Sequence, residues 1–254
     1  MYDWLSDALD DSTCLVTANR RLARELQYAW GAMQIARGKT AWRSPDIQTW
    51  QGWLGSVTAT ADRQEAFPTR INAHQSQWLW DRCLRKEVGE GVTGLPSLVR
   101  LSRDAWQRLA DARVSIREVA RAAKNDDQRL FASAAGRYLA VLENERWVDD
   151  AGLAALALDL IVSRSVKLKK RYVFAGFDRV RPSMTALQNA LEESGCEVLL
   201  KVPARLSAEP TFHEFEHRDA ELRAAGAWAR RSLEQHEDAR IAVVVQGLEQ
   251  SAGR

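Results

Sequence analysis

Cysteine, histidine and proline are scarce in this 254-residue chain, with three, four and six copies. Cys14, Cys83 and Cys196 lie far apart and are odd in number, so they form neither a disulfide framework nor a run with metal-ligand spacing. No apolar stretch approaches the roughly 20 residues that span a bilayer. The opening Met-Tyr-Asp-Trp-Leu-Ser-Asp has no basic n-region and no apolar h-region. A secretory signal is therefore not expected, and a reducing, cytoplasmic location is. Charge of one sign is also missing: 36 basic residues face 34 acidic ones, so no global field announces a nucleic-acid partner. A G-x-S-x-G elbow is absent and the lone cysteines have no nearby histidine, which leaves covalent catalysis without support.

What the chain does have is apolar residues, at 46%, enough for a sizeable core in one or two domains. It also has ten tryptophans, several of them, such as Trp78 and Trp80, in helix-like segments where packing between helices accounts for them.

The stretch Arg171-Tyr-Val-Phe-Ala-Gly-Phe-Asp-Arg-Val-Arg-Pro-Ser-Met184 reads as a buried strand ending at Gly176. A turn with Phe177 and Asp178 follows, then Pro182 opens a helix over residues 183–193, Gly195 ends it, and a strand covers residues 197–202. Strand–turn–helix–strand is the unit of a doubly wound α/β domain, whose ligand chemistry sits at the carboxyl ends of the strands. Gly176, Phe177 and Asp178 are therefore a candidate strand-end site. Residues 12–18 read as another buried strand, with Asn19 capping a helix to about residue 34 through a stripe of Leu22, Leu26, Ala29 and Met33. Pro45 starts a second unit, in which Ile47, Trp50 and Leu54 recur at helical spacing. From about 72 to 163 the pattern is helical, with four to six helices and no strand-like alternation.

The partition that follows is an α/β domain over residues 1–68 and 164–206, a helical insertion over 69–163, and the start of a second, incomplete α/β domain over 207–254. In that last part, residues 211–216 predict a strand, 219–234 an amphipathic helix, and 241–245 (Ile-Ala-Val-Val-Val) a buried strand. Two strands and one helix cannot enclose a core, which implies a longer natural unit.

Several motifs fail on inspection. Gly38-Lys39-Thr40 matches the end of a P-loop, but Met33 stands where its first glycine belongs, and a helix rather than a strand precedes it. His213 and His217 sit four apart in a segment that reads as extended, where strand rise separates them by roughly 13 Å; a solvated strand end explains them better than zinc. The pairs Asp126-Asp127 and Asp149-Asp150 suit helix starts or turns.

Taken together, Cys14-Leu-Val-Thr-Ala-Asn-Arg-Arg-Leu-Ala-Arg-Glu-Leu26 resembles the strand-then-helix element that follows the P-loop helix in superfamily 1 helicases. Val173-Phe-Ala-Gly-Phe-Asp-Arg-Val-Arg-Pro182 is similar to a strand end in the B subunit of two-subunit ATP-dependent helicase–nucleases. Asp219-Ala-Glu-Leu-Arg-Ala-Ala-Gly-Ala-Trp-Ala-Arg230, with residues 241–245, resembles the start of the second helicase-like domain of the same proteins. The resemblance covers the two ends of the chain better than its middle. It implies a RecA-like (P-loop-NTPase-like) α/β fold, a parallel sheet with a large all-helical insertion. It also implies kinship with predicted bacterial DNA-repair proteins in which an inactive helicase precedes a nuclease of the PD-(D/E)xK type.

The departures matter as much. Only about a dozen residues precede the first strand, none a glycine, and the paired carboxylates that would hold Mg²⁺ are replaced by Gly176-Phe177-Asp178 followed by Arg179. ATP hydrolysis is not expected, nor is any cofactor or metal. In helicases the element matching residues 17–21 touches the backbone of single-stranded DNA, so the resemblance makes Thr17, Asn19, Arg20 and Arg21 candidate DNA contacts. The alternative for these residues is a helix cap beside a solvated face. Arg113, Arg117 and Arg121, continued by Lys124, form a basic stripe that either tracks phosphates or faces water. Lys167-Leu-Lys-Lys-Arg171 and the pair Trp50 and Trp53 are open in the same way, the tryptophans between base stacking and core packing.

Three functions remain open. One is a non-catalytic module binding DNA, single-stranded for preference. Another is a scaffold docking a helicase or nuclease partner. The third is a small-molecule α/β enzyme using the Gly176–Asp178 strand end, supported by topology alone.

Overall fold

A computed structural model describes residues 2, 4–59, 67–89, 94–202, 210–236 and 238–246. The chain divides into two units, Met1–Ala204 and Arg205–Arg254.

The first unit is α/β. A short helix α1 (Leu5–Ala8) leads into β1 (Thr13–Thr17), then α2 (Arg20–Ala36), β2 (Ile47–Thr49) and α3 (Trp50–Ala59). The helical layer begins after β3 (Thr69–Arg70) and comprises α4 (Ala73–Val88), α5 (Leu95–Ala112), α6 (Ile116–Ala122) and α7 (Asp126–Asn144). It closes with β4 (Trp147–Val148), after which α8 (Leu153–Val162), β5 (Arg171–Ala175), α9 (Pro182–Glu193) and β6 (Glu197–Lys201) complete the unit.

The main sheet has the order β2-β1-β5-β6 with every pairing parallel. β1 and β5 are central, and their apolar runs are buried from end to end because helices cover both faces. Alternation decides which face each side chain meets. Leu15, Val173 and Ala175 turn toward Leu5 of α1 and Leu26 of α2. Val16, Tyr172 and Phe174 turn toward α3, α8 and α9, where Trp53 meets Phe174 edge-on at 5.7 Å and Tyr172 at 5.8 Å. Trp50 and Trp53 are thus core residues, 9% and 1% exposed, and offer no stacking surface for bases. Pro182 at the first turn of α9 and Gly195 just past its end mark that helix, as the sequence implied.

Helix α8 differs from its sequence-based grouping. It falls within the helical stretch, yet Leu153, Ala157 and Ile161 pack in the sheet's core. The helical layer proper has its own core, in which Trp80 stacks on Tyr138 with ring centroids 4.4 Å apart. At its base β3 pairs in parallel with β4, pinning together the points where the chain leaves and returns. Periodicity could not show strands of two residues. Beside this pair the buried Asp149 carboxylate accepts hydrogen bonds from Tyr138 Oη (2.9 Å), Trp106 Nε1 (2.9 Å) and the Gly152 amide (3.0 Å). Burial pushes the Asp149 carboxyl above its ordinary value, against the pull of those donors.

In the second unit α10 (Arg218–Gln235) forms as expected, but none of its residues is buried. The two strands expected there are not found: residues 211–216 and 241–245 have no strand assignment, and Val243 and Val244 are 48% and 93% exposed. A strand needs a partner for its amides and a face to bury its side chains. An apolar run alone supplies neither.

Candidate nucleic-acid interface

In an open parallel sheet the crevice forms where the strand order reverses, outside the carboxyl ends. Here the chain moves from β1 outward to β2 and later enters on the other side of β1 with β5, so that point lies beyond Thr17 and Ala175. The Ala18 amide donates to the Ala175 carbonyl at 3.1 Å and ties the two strand ends together. Asn19, in extended conformation, caps α2 by accepting from the Leu22 amide at 2.9 Å, which directs Arg20 and Arg21 outward as exposed residues.

An open groove of about 660 Å³ lies at this edge. One wall is the start of α3, where Thr49 Oγ1 accepts from the Gly52 amide at 3.1 Å. Gly52 and Gly55 have little room for side chains on that wall: a Cβ on Gly52 would stand 3.1 Å from Thr49 Oγ1, and one on Gly55 2.9 Å from Arg70 Nη1. The Arg70 guanidinium therefore lies against the helix backbone. Asp150 holds it there, with Oδ1 2.7 Å from Nη2 and 3.2 Å from Nε. Across the groove Arg181, the residue before Pro182, donates from Nη1 to Asp111 Oδ2 at 2.6 Å. The Asp111 carboxylate is itself largely buried and accepts from Gln107 Nε2 at 3.2 Å, so α5 positions an arginine of the α9 start.

Arg20, Arg70 and Arg181, from three separate elements, thus line one groove. The side chains of Arg70 and Arg181 stay 47% and 59% exposed, and a guanidinium has five N–H donors, so each keeps donors beyond its carboxylate contact. Such a groove can take a chain of phosphates, since it sets charge-assisted donors from three parts of the chain beside a wall with two glycines.

The expected site residues divide. Asn19 and Arg20 line the groove. Arg21 is exposed one position further along α2. Thr17 is fully buried, its hydroxyl 3.1 Å from both the Asn19 and Gln48 carbonyls, and makes no surface for DNA. Gly176 ends β5 at φ 77°, Phe177 plugs the core against Trp50 and Phe174, and Asp178 is exposed. Their work as placed is to turn the chain and close the core. The basic stripe breaks: Arg113 sits at the C-cap of α5 in left-handed conformation (φ 57°), while Arg117 and Arg121 lie on α6. All three are exposed, but the spacing that joined them assumed one continuous helix.

Arg70 and Arg181 were missed by sequence reasoning. Arg181 carried a usable signal, an arginine directly before the helix-opening proline at a strand's carboxyl end. Gly38, part of the P-loop lookalike, closes the end of α2 at φ 74°. Among the described residues no group of three or more His, Cys, Asp or Glu side chains is placed to hold a metal ion, and no helix is long and apolar enough to cross a membrane. No protein-family model matches the sequence, and no curated protein matches it either.

Proposed function

We propose that this chain is a helicase-like module that binds DNA, single-stranded for preference, without hydrolysing ATP. On this reading the parallel α/β unit is a RecA-like domain, the chain serves in the cytoplasm beside or within a DNA repair or recombination nuclease, and its work is to hold a strand. The observation that carries the reading is the convergence of Arg20, Arg70 and Arg181 on the groove at the carboxyl edge of the sheet. Arginines tethered by Asp150 and Asp111 are pre-organised, so less side-chain entropy is lost when a phosphate arrives. The three arginines meet phosphates rather than base edges, so binding through them is general rather than sequence-specific.

The test is fluorescence anisotropy with a labelled single-stranded oligonucleotide across a salt series. With up to three phosphates engaged, log K falls against log salt with a slope of about −2. Absence of salt-dependent binding at low micromolar protein removes the DNA role, and measurable ATP turnover removes the inactive-helicase reading. A scaffold role is the second reading. It is favoured by the apolar side chains that the second unit leaves uncovered, Phe212 at 90% exposed and Trp228 at 52%.

A further inference from the structure

At the opposite edge of the sheet, outside the amino ends of β1, β2 and β5, lies a second cavity, of about 470 Å³. That volume falls within the range of small-molecule sites. Asp10 and Asp11 reach it from before β1, Asp46 from before β2, and Lys169 from before β5. Its other wall is the second half of α2, and two polar atoms of that wall are unsatisfied. Gln34 is 1% exposed and its Oε1 has no hydrogen-bond partner among the described residues; the buried Nε1 of Trp30 has none either. Both side chains line the cavity. Being four residues apart on one helix, they share a face. The wall therefore holds an unpaired acceptor and an unpaired donor one helical turn apart, and a buried polar group without a partner is costly.

An aromatic surface flanks the pair. Trp42, also a lining residue, rests its indole over Gly31, where a Cβ would stand 3.5 Å from Cζ2. Of the six charged residues lining the cavity, three acids face three bases, and four of the six pair with one another. Arg43 pairs with Asp11 at 3.2 Å, Lys169 stands 3.8 Å from Asp46 and donates to the Asp11 carbonyl, and Asp46 accepts from Gln48. A site with two tryptophans, an unpaired donor and an unpaired acceptor on one helix face and balanced charges suits a planar, uncharged ring whose edge carries an acceptor and an N–H donor.

We infer that this cavity is a binding site for a nucleobase or nucleoside, whose edge accepts from Trp30 Nε1–H and donates to Gln34 Oε1 while its ring lies against Trp42. The inference is independent of the DNA groove, which occupies the other edge of the sheet and uses other residues.

The experiment titrates adenosine, guanosine and cytidine into the ¹⁵N-labelled protein and follows the tryptophan indole resonances, with calorimetry for affinity. Trp30→Phe deletes one indole peak and so assigns it. The expected result is saturable binding of at least one of the three that moves the Trp30 peak and is weakened about tenfold or more in Gln34→Met and in Trp30→Phe. Where adenosine binds, purine riboside, which lacks the 6-amino donor, binds correspondingly weaker. Trp42→Ala, at a side chain 37% exposed, keeps the test open should either α2 variant fail to fold; it too lowers affinity. Silence of the Trp30 resonance at millimolar concentrations of all three nucleosides overturns the inference and leaves the cavity to water. Binding that persists unchanged in the folded variants overturns it equally.

Discussion

Gly176 gives the most exacting test of how the end of β5 meets α2. The residue ends β5 at φ 77°, and a Cβ there would stand 2.3 Å from Cδ2 of Leu22 on α2. Gly176→Ala therefore carries two penalties. Left-handed backbone with a side chain costs roughly 1–2 kcal/mol, and forcing a methyl into the contact with Leu22 adds about 1–3 kcal/mol. Gly38 separates the two, since its φ is 74° but nothing lies within 4 Å of its Cβ position. Gly38→Ala should lose only the first penalty. Urea unfolding at 25 °C measures both, and Gly176→Ala should be the more destabilised by about 1–3 kcal/mol. Leu22→Ala combined with Gly176→Ala should be less damaging than the sum of the two, because the shortened side chain removes the clash. If Gly176→Ala and Gly38→Ala cost the same within about 0.5 kcal/mol, the close approach of β5's end to α2 is wrong.

The helical layer yields two more. Tyr138→Phe removes a hydroxyl bonded to Ser76 Oγ at 2.8 Å and to Asp149 at 2.9 Å, both buried, and should cost about 1–3 kcal/mol by chemical denaturation; a neutral result denies the network. Because burial raises the Asp149 pKa above its unfolded value, the fold favours the protonated carboxyl. The stability this gives is present below the unfolded pKa and lost as pH rises through the native one. The stability of the wild type minus that of Asp149→Asn should therefore fall as pH climbs from the ordinary carboxylate value, and a flat difference contradicts the burial.

Much of the sheet could be read from residues. β1 and β5 carry buried apolar centres because both their faces are covered, and Pro182 with Gly195 brackets α9 by backbone chemistry alone. Most of the exceptions are decided by distant partners, and one by a local cap. β3 and β4 are too short to show a period and exist because they pair with each other. Residues 241–245 have the composition of a buried strand and no pairing. Arg113 takes a left-handed cap position usually left to glycine, so its side chain concealed the end of α5. The candidate site was half legible. Asn19 and Arg20 follow from a strand–helix junction, but Arg70 and Arg181 reach the groove only through Asp150 and Asp111, residues 80 and 70 positions away in the chain.

The central claim is that single-stranded DNA lies in the groove at the carboxyl edge of the sheet. Comparing two charge-reversed proteins tests it most directly: Arg20→Glu with Arg181→Glu in the groove, and Arg117→Glu with Arg121→Glu on α6. Anisotropy with the same labelled strand, after circular dichroism shows both to be folded, should find binding abolished in the first and close to wild type in the second. Retained affinity in the groove variant, or its loss in the α6 variant alone, contradicts the account.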